Sequence, residues 1–137
     1  MIDIADVSEV SRATLYNHYR DKSAVLEALI TAEVERLVAL ATKAGTPADA
    51  LETLSREISS DEALAAMRTH DADILIAVMS HAENPLYLVL AQAIYAATKS
   101  EAGTGLAMRW LLGQVMQPIT PKQSREQAEL LVERTLF

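Results

Sequence analysis

From Ser11 to Lys22 the chain reads Ser-Arg-Ala-Thr-Leu-Tyr-Asn-His-Tyr-Arg-Asp-Lys, a dense run of hydrogen-bonding side chains around one small residue. Ser11 is placed to cap a helix of about two turns. At about 100° per residue, Leu15 and Tyr19 share one side and Ala13 and Asn17 lie opposite, flanked by Arg12 and Tyr16 on one edge and Thr14 and His18 on the other. The first face can pack on Ile4, Ala5 and Val10. On the second, Ala13 permits close approach to a base edge, and Arg12 and Asn17 carry the donors and acceptors that read one. Thr14, Tyr16 and His18 can reach phosphates on either wall of the groove. Lys22 adds a cation where the next helix begins, at an N-terminus that itself attracts phosphate. This chemistry is recognition of duplex DNA. The same residues could instead cap a bundle, because a single Tyr or His on a short helix is more often structural.

No comparable grouping suggests catalysis. The chain contains no GxSxG, GxGxxG, P-loop or HExxH pattern, and the glycines at 45, 103, 105 and 113 form no phosphate loop. His70-Asp71-Ala-Asp73 and His81-Ala-Glu83 are short of a recognised metal-ligand set and read as polar turns, so neither a metal nor a cofactor is expected. The absence of cysteine removes thiol chemistry and disulfides and suits a reducing cytoplasm.

The elements that must position the recognition residues are helices. Four Gly, four Pro and abundant Ala, Leu and Glu indicate an all-α chain, and half of its 137 residues are hydrophobic, enough for one core. The clearest helix follows the cap candidate Asp21, with Leu26, Leu29, Ile30, Val34, Leu37, Val38 and Ala41 at 3/4 spacing and Gly45 as its C-terminal stop. Thr46-Pro47, Asn84-Pro85 and Thr120-Pro121 mark three further starts. Thr120-Pro-Lys-Gln123 and Ser59-Ser-Asp-Glu62 fit the capping box. The expected helices span about 3–7, 12–19, 22–44, 47–58, 61–70, 72–82, 85–101, 105–117 and 121–136. No apolar run is long enough for a membrane span, and the first residues do not form an export signal, so a cytoplasmic protein with no membrane partner is expected.

The pattern Ile4-Ala5, Val10-Ser11, Thr14-Leu15-Tyr16, His18-Tyr19, Lys22 and Val25-Leu26 resembles the helix-turn-helix of the TetR family of bacterial transcriptional regulators, running into that family's connecting helix. The resemblance implies operator contacts for Ser11, Arg12, Ala13, Thr14, Tyr16, Asn17, His18 and Lys22. It divides the chain into a partial helix-turn-helix DNA-binding domain with connecting helix (1–44) and a helical-bundle ligand-binding and dimerisation domain (45–137). The sequence departs from the family at Ser8-Glu9, where Ala-Gly is usual, and this puts a negative charge near DNA. The family also has a helix and a half before the residue matching Ile4. The reading therefore expects a preceding segment of roughly 20–40 residues, basic in character.

The net charge of −7 belongs mostly to the second part, since residues 1–22 carry three cations and four carboxylates. In that second part Met67, His70, Met79, Tyr87, Tyr95 and Met108 are candidates for an effector pocket, because thioethers fill irregular space and Tyr or His adds one polar tip. Residues of this kind at helical spacing equally make ordinary core. The helix at 105–117 is apolar around most of its circumference and needs cover on two sides. Trp110, Leu111, Gly113 and Val115, with Leu131 and Val132 of the last helix, are therefore candidates for a homodimer interface, Gly113 allowing close backbone approach. The expected function is a repressor that binds operator DNA as a dimer and is released by a small-molecule effector. The alternative is a helical ligand-binding or dimerisation module without DNA binding.

Overall fold

A computed structural model of the chain describes residues 22–80 and 85–135. Seven helices account for nearly all of them: α1 (Lys22–Thr42), α2 (Pro47–Ser60), α3 (Glu62–His70), α4 (Ala72–Met79), α5 (Pro85–Thr98), α6 (Glu101–Met116) and α7 (Pro121–Thr135). The helices expected at 3–7 and 12–19, the recognition residues Ser11 to His18, and the caps Asp21 and Asn84 lie outside the described residues. So do His81 and Glu83.

Local chemistry explains most helix starts. Thr46 is extended at φ −136°, and its hydroxyl accepts the Asp49 N–H at 3.1 Å ahead of Pro47 in the first turn. Thr120 and Gln123 close a complete capping box: the Gln123 N–H donates to the Thr120 hydroxyl at 3.2 Å, and the Thr120 N–H donates to the Gln123 amide oxygen at 2.9 Å. The box expected at Ser59–Glu62 does not form. Asp61 caps α3 instead, accepting the Leu64 N–H at 2.8 Å, and Ser59 turns inward to another partner. Gly45 does not adopt a left-handed conformation, and α1 ends at Thr42 with the Lys43 and Ala44 amides closing the last turn.

The largest boundary correction lies between α5 and α6. The expected helices at 85–101 and 105–117 leave residues 102–104 between them, yet these sit inside α6, which holds both Gly103 and Gly105. The break comes earlier, at Lys99, whose φ of 56° is left-handed, followed by Ser100, whose hydroxyl caps the Gly103 N–H at 3.0 Å. The buried Thr98 hydroxyl meets that of Thr104 at 2.9 Å across the junction. A serine cap and a hydroxyl pair thus outweigh the modest helix penalty of two glycines. Similarly, α4 stops at Met79, short of 82.

The central element is α2, which packs against α1, α5, α6 and α7. Leu51, Leu54 and Ile58 of α2 are buried with Leu26 and Leu37 of α1, Ile94 of α5, Leu111 of α6 and Ala128 of α7 in one core. Helices α3 and α4 form a short hairpin beside it, tied to α6 where the Arg68 guanidinium donates to the Val115 carbonyl at 2.7 Å. Among the described residues no helix is long and apolar enough to cross a membrane.

Candidate functional site

The inner face of α1 does not close fully onto α3–α6. Ile30, Val34 and Leu37 of α1 stand across from Leu64 of α3, Leu75, Val78 and Met79 of α4, Leu86, Tyr87 and Leu90 of α5, and Leu111, Leu112 and Val115 of α6. They line an apolar cleft of about 150 Å³ that is partly open to solvent, with Glu33 and Ile58 completing the described wall. The helices reach this arrangement because α3 and α4 have 9 and 8 residues, too few to cover the length of the 21-residue α1.

Two polar side chains reach the wall, and both are engaged elsewhere. The Tyr87 hydroxyl donates to the Met79 carbonyl at 2.7 Å, which joins the start of α5 to the end of α4, and burial raises its pKa. The Arg36 guanidinium donates to both Glu33 oxygens at 2.6 and 3.0 Å and pairs with Glu57 of α2 at 2.9 Å. Hydrogen bonding from Arg36 holds the Glu33 carboxyl below its ordinary value. Burial, with the negative charge of nearby Glu33, pushes the Asp61 carboxyl above its ordinary value. This cluster ties α1 to α2 and to the cap of α3 at the edge of the cavity.

Of the residues expected to face an effector, the structure brings Met79 and Tyr87 to the cavity. Met67 is buried in the core and Met108 packs against it, both outside the wall. His70 ends α3 in solvent, and Tyr95 is 48% exposed because it follows the fully buried Ile94 around the helix by about 100°. These four therefore lie away from this cleft. Sequence reading looked for sulfur and aromatic rings, whereas the wall consists mostly of aliphatic residues. The signal that could have found them is the Ile30–Val34–Leu37 stripe itself, which is more apolar than one neighbouring helix requires.

The residues expected between two copies also divide. Leu111, Val115 and Val132 are buried in the chain's own core and have no surface to offer, which corrects that expectation. Trp110 and Leu131 are half-buried, and the Trp110 indole N–H donates to Gln127 of α7 at 2.6 Å. Gly113 is exposed, and a Cβ built on it would meet nothing within 4 Å. The outer side of α6 presents Ala102, Leu106, Arg109 and Gly113, with Leu106 58% exposed, and α7 presents Leu130 at 51%. Lys22 is the first residue of α1.

Among the described residues no group of three or more His, Asp or Glu is placed to hold a metal ion. No protein-family model, curated protein or solved structure matches the chain.

Proposed function

We propose that the chain is a transcriptional regulator of the TetR type, in which residues 3–22 bind operator DNA and the helical bundle senses a small molecule. The observation that carries this reading is the continuity of α1. It begins at Lys22, directly after the DNA-reading pattern, and its next turns supply Ile30, Val34 and Leu37 to the cavity wall. An occupant of the cavity and a DNA duplex would thus act on opposite ends of one helix. Such a helix couples two sites when the two ligands favour different positions of it. Effector binding then lowers operator affinity in a repressor.

Dimerisation belongs to the same proposal, since two recognition helices must meet successive major grooves about 34–36 Å apart. With Leu111, Val115 and Val132 committed inside, the contact falls to the outer stripe of α6 around Leu106 and Gly113, with Leu130 of α7. Gly113 lies in the last turn of α6 with empty space above it, where a second backbone could approach closely.

Selection from a random duplex library, using the chain with any residues its reading frame supplies upstream, tests the reading. A two-fold symmetric site should be enriched, Lys22→Ala should weaken binding to all sequences alike, and Asn17→Ala should mainly relax base preference. Failure to retain any duplex at low salt would overturn it in favour of a ligand-binding or dimerisation module. The low cation content of residues 1–22 favours that second reading.

A further inference from the structure

We infer that the apolar cleft between α1 and α3–α6 takes an uncharged, apolar group, such as a single aromatic ring or compact branched hydrocarbon. This rests on the cavity being the effector site and specifies the chemistry of that effector. The cleft is partly open to solvent, and its interior of about 150 Å³ can cover a group about the size of benzene.

The wall sets the polarity. Thirteen of the fifteen described residues lining it carry hydrocarbon or thioether side chains. The wall offers no free side-chain donor, because the Tyr87 hydroxyl donates to the Met79 carbonyl and the Glu33 carboxylate, which only accepts, is paired with Arg36. A carboxylate or phosphate would meet Glu33 with no cation turned inward, since Arg36 spans Glu33 and Glu57. An ammonium ion would share the Glu33 carboxylate with Arg36, which already neutralises its charge. A sugar or nucleotide would bury hydroxyls without partners, at a cost of a few kcal/mol each. An apolar occupant restores the dispersion contacts that the lining lacks and disturbs no hydrogen bond.

The test uses the whole chain with ¹³C-methyl methionine, in which Met79 reports on the wall and Met67 and Met108 serve as references outside it. Toluene, benzoate and benzylammonium are titrated separately. Toluene should shift the Met79 methyl resonance and, at about ten times its Kd, raise Tm by about 3–6 °C, while the two ions do neither. Val78→Phe, which fills the space, should abolish the toluene effects, and the gentler Val34→Ile should lower toluene affinity several-fold. An unmoved Met79 at the solubility limit of toluene overturns the inference, as does an ion that binds as well as toluene or a folded Val34→Ile chain of unchanged affinity. Duplex binding is measured on the same samples. Toluene binding without DNA binding leaves the inference standing and removes the regulator reading, whereas DNA binding with Met79 unmoved does the reverse.

Discussion

The two flanks of α2 are built on opposite principles. On the side of α6 and α7 the contact is polar and satisfied: the Ser55 hydroxyl donates to the Gln114 amide oxygen at 2.6 Å and lies 2.6 Å from the Ser124 hydroxyl. Ser59 donates to the same Gln114 oxygen at 2.8 Å and accepts the Ile119 N–H at 3.1 Å. On the side of α1, α3 and α4 the wall is aliphatic and incompletely filled, with the Arg36–Glu57 ion pair at its edge. Hydrogen bonds among buried groups have fixed lengths and angles, so the polar flank has one register and large penalties for leaving it. Hydrocarbon packing is non-directional, so the apolar flank can accept an occupant or shift with little loss.

The largest test of this contrast is Gln114→Ala, which leaves the Ser55 and Ser59 hydroxyls buried without their shared acceptor. Unfolding stability in urea should fall by about 3 kcal/mol, and a loss below about 1 kcal/mol would mean that the polar flank is no frame. Ser124→Ala removes one hydroxyl of the group and should cost about 1 kcal/mol by the same measurement. The apolar flank should respond with the opposite sign. Val34→Ile adds a methylene to the cavity and should stabilise the free chain by about 0.5–1 kcal/mol, whereas destabilisation would show that the wall is already tight.

Between the flanks lies the carboxyl pair, and its test is a pH titration. The folded Asp61 carboxyl sits above its ordinary 3.8, so its contribution favours folding at low pH and is lost as pH rises through the folded value. Glu33 sits below its ordinary 4.5, so its contribution is present above that value and is lost as pH falls through the folded one. Glu33→Gln removes the negative charge beside Asp61. The Asp61 side-chain ¹³C signal should then titrate at lower pH than in the parent chain, and an unchanged midpoint would show that burial alone raises it. The smallest effect concerns the α5–α6 corner. Lys99→Gly relieves a left-handed backbone and should add up to about 1 kcal/mol, visible as a slightly higher urea midpoint.

Much of the fold was legible where the physics is local. The Thr46-Pro47 start and the Thr120–Gln123 box depend on atoms three residues apart and form as expected. Legibility failed where two local signals competed. The break expected between 101 and 105 falls at Lys99 and Ser100 instead, because the Ser100 cap starts α6 ahead of Gly103 and Gly105 despite their low helix propensity. The candidate site was half legible. Met79 and Tyr87 were visible as adaptable side chains, whereas Leu64, Leu75 and Leu112 carry nothing in their identity that separates a cavity wall from filled core.

The sequence by itself determined an all-helical chain with marked starts and one long amphipathic helix, because helix caps and 3/4 spacing act over a few residues. Only the tertiary structure decided that Ser55 would meet Gln114 and Ser124, 59 and 69 positions away, and that α6 would bury Leu111 and Val115 while exposing Leu106. The tertiary structure alone also left space beneath α1. An amphipathic stripe states that a face must be covered, but the lengths and crossing of the helices opposite decide how completely.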